Sequence, residues 1–319
     1  MHVRNRTLGF AFFAVSLMAG NAVAAQTVPT PAAPARVIID TDIGGDIDDA
    51  FAVALALQSP EVKILGFTTV SGDTAARARI LDEMLGRSDH TDIPVAAGSP
   101  TTLRSNTQYI GRQSRFGEIG RFAKATHPPA VEFLLDQIHR FPDQITLVTM
   151  GPLTNVAALI DQEPQAFRRL KRVVMMGGSI AAGYNDAIKG AVAEYNIIAD
   201  IPSAQKLFQS GVPIYVMPLD STIQLKLDEV KRAALFYEGT PLTDSLAILY
   251  LMSNIVTPVL YDAMPVAFII DPELCPVQPM HVVVDEKGFT RSEPGAPNAE
   301  VCLRSDAETF FHFYMSRFH

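Results

Sequence analysis

The sequence predicts an α/β fold: a single domain built on a mostly parallel, open sheet flanked by helices. Three observations predict it. Apolar runs of strand length recur at residues 37–39, 62–70, 93–97, 145–150, 173–176 and 213–217. Each run stops at Asp, Ser, Gly or Pro, as in Ser71-Gly72-Asp73, Gly151-Pro152 and Gly177-Gly178. Helical stretches at residues 50–57, 74–85, 129–141 and 200–210 stand between them, and that alternation is the pattern of a parallel sheet with crossover helices.

Residues 36–57 read RVIIDTDIGGDIDDAFAVALAL. A buried strand gives way here to an Ala-rich helix, and five carboxylates fill the junction: Asp40, Asp42, Asp46, Asp48 and Asp49. Strand ends of this kind are where open α/β sheets bind ligands. An acidic first helical turn is favoured by the helix dipole, but it needs one or two acids, not five. Five carboxylates this close repel one another unless solvated or joined by a cation, and a hard divalent cation takes six to eight oxygens. The EF-hand pattern does not fit. Counting from Asp40, its fifth position is Gly44 and its twelfth is Phe51. A DxD nucleophile from Asp40 and Asp42 would leave Asp48 and Asp49 unexplained.

DTDIGGDIDDA resembles the DxDxGxDD fingerprint of the calcium-dependent nucleoside hydrolases of the inosine–uridine type. Two extra residues, Gly45-Asp46, stand before the closing Asp48-Asp49-Ala50. The resemblance runs from Val37 to the C-terminus. It implies the nucleoside hydrolase fold, with a metal site at the C-terminal edge of the strands. It also implies hydrolysis of the N-glycosidic bond of a ribonucleoside, with Ca²⁺ holding the attacking water and the ribose 2′- and 3′-hydroxyls. Asp42 and Asp49 become metal ligands, and Asp42 or Asp48 the base that takes the proton.

The same comparison places the remaining site residues. Family members carry Asn at Asp73, touching the ribose. An Asp there accepts bonds from sugar hydroxyls or caps the next helix, and both readings stay open. Residues 98–126 have almost no periodicity and carry Arg104, Arg112, Arg115 and Arg121; a loop this long is usually functional. The family closes a lid here, often with His-Gly, where this chain has Phe116-Gly117-Glu118. In Gly151-Pro152-Leu153-Thr154-Asn155, which also resembles the family, the preceding carbonyl, that of Met150, goes to the metal; Thr154 is expected as an N-cap. Met176 is expected against the sugar. Ala193-Glu194-Tyr195-Asn196 resembles the family's AEFN, whose Glu and Asn bind ribose hydroxyls. Two apart on an extended segment, Glu194 and Asn196 would point the same way. The family Asn six residues earlier is Ile188 here, with Asn185 nearby as a substitute. In LYDAMPVAFIIDPEL, Asp262 closes the metal site, and Tyr261 stands where many members have a His that protonates the leaving base. Tyr, with a pKa near 10, stacks on a base and donates a hydrogen bond but is a poorer acid. Residues 277–285 and 300–303 are expected to form an antiparallel pair turning near Gly288, before a closing helix at 306–318.

The 319 residues suffice for one large α/β domain, and 48% hydrophobic content permits a sizeable core. Residues 1–25 read as a secretory signal peptide: Arg4 and Arg6, an apolar stretch, then Ala22-Val23-Ala24. Residues 26–35, QTVPTPAAPA, read as an extended linker, and residues 36–319 as the catalytic domain. The expected location is periplasmic or secreted. The chain holds 34 acidic residues against 26 basic ones, or 24 once Arg4 and Arg6 leave with the leader. Such a balance argues against nucleic acid as a partner, and no membrane span follows the leader. The expected partners are a small-molecule ribonucleoside and further copies of the chain, as a dimer or tetramer. Cys275 and Cys302 can be a disulfide or two buried thiols, and the sequence leaves that open.

Two rival functions share these residues. A secreted nucleoside- or ribose-binding protein would keep the sugar grip without turnover. A metal-dependent phosphohydrolase would use the DxD, but no Gly-rich cradle or Lys/Arg clamp adjoins the acids in sequence. Retention of all five acids favours an enzyme over a binder, since a binder need not activate water.

Overall fold

Val37, Ile38 and Ile39 are wholly buried because they lie mid-sheet, with Val37 and Ile39 facing one core and Ile38 the other. Burial on both faces is why the run is continuously apolar and not alternating. The computed structural model describes residues 33–100, 111–184 and 190–319. The expected signal peptide, most of the linker, Arg104, Asn185 and Ile188 lie outside the described residues.

The elements run β1 (Ala35–Thr41), α1 (Asp48–Leu57), β2 (Val62–Thr69), α2 (Thr74–Arg87), β3 (Val95–Ala97), α3 (Ser114–Glu118), α4 (Ala130–Arg140), β4 (Ile145–Thr149), α5 (Thr154–Gln162), α6 (Pro164–Phe167) and β5 (Arg172–Met176). They continue α7 (Tyr195–Ile198), α8 (Ile201–Phe208), β6 (Ile214–Met217), α9 (Leu219–Thr222), α10 (Glu229–Tyr237), α11 (Pro241–Ser253), α12 (Ala263–Ile270), β7 (Gln278–Met280), β8 (Val282–Val284), β9 (Thr290–Ser292), β10 (Ala299–Val301) and α13 (Ala307–Met315).

The main sheet has the order β3-β2-β1-β4-β5-β6-β10-β7. Every pair in it is parallel except β10–β7. The chain winds outward from β1 in one direction, then returns to lay β4 on its other side. Between β1 and β4 the connections leave to opposite faces, which opens a crevice at the strands' carboxyl ends. Asp42 follows β1, and Met150 follows β4. Among the described residues no helix is long and apolar enough to cross a membrane.

Several local expectations are corrected. Residues 98–126 are not all loop. Phe116 is buried in α3, and Gly117 is required there because a Cβ would lie 2.6 Å from the Arg79 backbone on α2. Thr154 does not cap α5; its hydroxyl donates to Asp200 Oδ2 at 2.7 Å, and Asp200 caps α8. The expected antiparallel pairing of residues 277–285 with 300–303 holds in β7 and β10, but the turn near Gly288 belongs to a second pair. β10 joins β6 and β7, while β8 pairs with β9 across Gly288. Of the two states the sequence left open for Cys275 and Cys302, the structure has the disulfide.

Candidate active site

A cavity of about 400 Å³ opens at the β1–β4 crevice. The acidic junction forms one wall. Gly44, at φ 101°, lets the loop turn through the left-handed region. Thr41, the last residue of β1, donates its hydroxyl to Asp49 Oδ1 at 2.5 Å and accepts Ile43 N–H at 3.1 Å, so the strand end orients the helix's carboxylate. Asp262 arrives at the start of α12. Carboxylate oxygens of Asp48, Asp49 and Asp262 lie within 4.8 Å of one another, and all three residues are buried. Asp42 and Asp46 line the same cavity.

Burial pushes Asp48, Asp49 and Asp262 well above the usual carboxylate range, and the neighbouring acids push further. Asp42 is raised by burial and held back chiefly by the Arg77 guanidinium. Asp40 is different. It lies behind the cavity wall and accepts Thr68 Oγ1 at 2.5 Å and Asn155 Nδ2 at 2.7 Å on one oxygen. Burial lifts it to about 7.

The opposite wall carries the sugar-side and base-side groups. Glu194 caps α7 and accepts three backbone N–H groups: Asn196 at 2.9 Å, Gly178 at 2.9 Å and Ile197 at 3.3 Å. Burial nonetheless raises its pKa to about 7. Asn196 gives its amide nitrogen to the carbonyls of Met150 at 3.1 Å and Met176 at 3.2 Å, so its oxygen is what remains to offer a ligand. Tyr184 and Tyr261 meet edge to face, with ring centroids 6.5 Å apart. Tyr184 Oη accepts the Tyr195 N–H at 2.7 Å, and burial raises both phenols above their ordinary value.

The family model of inosine-uridine preferring nucleoside hydrolases matches residues 37–312. The chain belongs to this family. Uridine nucleosidase 1 of Arabidopsis thaliana is 34% identical over 206 residues, covering 61% of this chain and 59% of that protein. The pyrimidine-specific ribonucleoside hydrolase RihA of Escherichia coli O1:K1 is 29% identical over 313 residues, covering 88% and 97%. The solved plant nucleoside hydrolase PpNRh1 superposes with a TM-score of 0.78 at 25% identity, covering 89% of this chain and 99% of that one. The chain spans about 60% of the length of several curated relatives it matches.

Against the expectations drawn for a nucleoside hydrolase, the structure brings Asp42, Asp48, Asp49, Met150, Met176, Glu194, Asn196, Tyr261 and Asp262 to one cavity. Two details change. Asp48, expected with Asp42 as a candidate base, also stands with Asp49 and Asp262 as the third member of the tight carboxylate group. Glu194 and Asn196 converge through a helix start and not an extended segment. Asp73 is a correction: it is exposed, absent from the cavity lining, and accepts Ala76 N–H at 2.9 Å as the cap of α2. Asp244, a second acid at a helix start that could compete with Asp262 for the metal, is exposed and absent from the cavity lining. Arg77, Tyr184, Tyr195 and Ile255 line the cavity without having been anticipated. Arg77 had no local signal, being 28 residues from Asp49; Tyr195 could have been read from its place between Glu194 and Asn196.

Three buried carboxylates with oxygens within 4.8 Å of one another, in a cavity that Met150 also lines, form an all-oxygen donor set. That fits a hard divalent cation and not a thiolate- or imidazole-loving metal.

Proposed function

We propose that this cavity hydrolyses the N-glycosidic bond of ribonucleosides, releasing the free base and ribose. The observation that carries the reading is the meeting of two donor sets in one cavity: the Asp48–Asp49–Asp262 group and the Glu194–Asn196 pair. We further propose that Ca²⁺ is the cation, held by Asp42, Asp48, Asp49, Asp262 and the Met150 carbonyl. When bound, it supplies Lewis-acid polarisation of a water and an anchor for hydroxyl oxygens.

The chain's own groups do the rest. Glu194 and the Asn196 oxygen accept bonds from the ribose hydroxyls and fix the ring. Water attacks C1′ as the bond to the base nitrogen breaks and its electron pair leaves with the base; a carboxylate oxygen of Asp42 or Asp48 takes the proton from the water, and the departing nitrogen takes one from solvent. Positive charge spreads over the ring oxygen and C1′ in the transition state, as in glycoside hydrolysis, and the surrounding carboxylates stabilise it. Tyr261 offers a face for the base and a phenol proton for a hydrogen bond to it. Tyr184 sets the angle of that face. Export to the periplasm or beyond, by the leader at residues 1–25, is supported by the Cys275–Cys302 bridge, since such bonds persist in oxidising compartments.

The test is a panel of ribonucleosides, 2′-deoxynucleosides and phosphate esters, with ribose, base and phosphate assayed separately. Ribose and base should appear from ribonucleosides. Deoxy analogues should react at least tenfold more slowly, because each unpaired buried group costs about 1–3 kcal/mol. No ribose from any ribonucleoside with Ca²⁺ present overturns the assignment.

A further inference from the structure

The loop between β1 and α1 carries Asp42 and Asp46 and leads into Asp48 and Asp49, but makes little secondary structure of its own. Its main-chain carbonyls must therefore find donors elsewhere. They find them in two side chains and one backbone group. Arg77, on α2, donates through Nη1 to the carbonyls of Asp42 and of Ile43, the latter at 2.9 Å, and through Nε to Ser71 O at 2.7 Å. Gly111 N–H donates to Gly44 O at 2.9 Å. Gln113 Nε2 donates to Gly45 O and to Asp46 O, each at 3.1 Å. Five successive carbonyls, from Asp42 to Asp46, are thus held from outside the loop. Arg77 is 1% exposed and Gln113 0%. Gln113 faces two acceptors, which fixes its amide nitrogen toward the loop, and its Oε1 is buried without a partner among the described residues.

We propose that Arg77 and Gln113 are positioning residues of this enzyme. Together they clamp the loop so that Asp42, Asp48 and Asp49 keep the spacing a divalent cation requires. Mutual repulsion of the acids would otherwise open a turn built on Gly44 and Gly45. The inference rests on the nucleoside hydrolase reading of the cavity. It also accounts for the two-residue insertion, Gly45-Asp46, whose carbonyls are the ones Gln113 holds. Asp73, by capping α2, starts the helix one turn before Arg77 and so sets where the guanidinium emerges.

The test uses the chelator-stripped protein, calorimetric titration with Ca²⁺, thermal melting, and kcat and KM on a ribonucleoside. Gln113→Met replaces the amide with a chain of similar length and no donor, and it carries the decision. Arg77→Lys keeps the charge but not the fork of donors. Each variant should bind Ca²⁺ about 10- to 100-fold more weakly. Its kcat should fall at low Ca²⁺ and recover at saturating Ca²⁺, with KM unchanged. A Gln113→Met protein that melts lower yet binds Ca²⁺ like the wild type overturns the clamp, since that is a purely structural effect. A wild type that binds Ca²⁺ but releases no ribose fails the functional reading instead, and the calorimetry still decides the clamp.

Discussion

Asp262 is 3% exposed, sits at the N-terminus of α12, and makes no capping hydrogen bond there. A buried carboxylate without such a bond is costly unless it meets a partner, and its nearest neighbours are two more acids. Asp262→Asn should therefore abolish Ca²⁺ binding and ribose release while the fold persists. Asp244 occupies the first turn of α11, where Thr240 and Thr243 already complete a capping box. Asp244→Asn should cost only its dipole contribution, about 0.3–1 kcal/mol. Calorimetry on both variants decides; loss of the metal in Asp244→Asn with retention in Asp262→Asn would reverse the assignment. Glu194 makes a pH prediction. Its carboxyl is lifted by burial from 4.5 to about 7, so between those values the folded chain keeps a proton that the unfolded chain releases. Its contribution to stability is therefore full below pH 4.5 and is lost as pH rises through about 7. Relative to Glu194→Gln, chelator-treated wild type should lose on the order of 3 kcal/mol across that window. Asp40, also near 7, adds a slope of the same sign to both proteins. Denaturant titrations at pH 4.5 and 7 measure the difference, and parallel slopes would remove Glu194 from the account.

The short helix α9 shows how one element can serve another. Its Asp220 accepts the N–H groups of Ile180 and Ala181, each at 2.8 Å, and of Ala182 at 3.2 Å. Ser179 adds a bond from its hydroxyl to Ala182 O at 2.5 Å. The segment so held ends at Tyr184, whose ring abuts Tyr261 in the cavity. Asp220→Ala should release three donors and loosen the base-side wall. KM for ribonucleosides should rise about tenfold, equivalent to one or two hydrogen bonds, with Ca²⁺ affinity unchanged. A weaker Ca²⁺ affinity, or an unaltered KM, would contradict that separation of the two walls.

For the molecule as a whole, the bridge between Cys275 and Cys302 ties the chain after α12 to the end of β10, across a sequence separation of 27. Asp262 stands at the other end of α12, so the bridge fastens the element that delivers a site carboxylate to the sheet. Closing a loop of this length constrains the unfolded chain by roughly 3–4 kcal/mol. Cys302→Ser should lower unfolding free energy by about that amount in urea, with cation affinity close to wild type at 25 °C. An unchanged urea midpoint would show that the bridge does not limit stability.

The α/β class, the order of strands and helices, and the acidic junction were legible in the sequence because they are local. Apolar runs end at Gly, Pro or Asp, and the periodicity changes there. Glu194, Asn196 and Asp262 were legible only through resemblance, since nothing within a few residues of them reveals a cavity. What the tertiary structure decided is which distant groups meet. It put Asp48 beside Asp49 and Asp262, with Asp42 on the same cavity wall, because α1 begins at Asp48 and turns both neighbours into the crevice. It turned Asp73 outward as a helix cap, bonded to the Ala76 N–H at the start of α2. It carried Arg77 and Gln113 to the acidic loop from 35 and 67 positions away. Such pairings depend on the sheet's winding around β1 and β4, and no local pattern of residues encodes the crevice that winding creates.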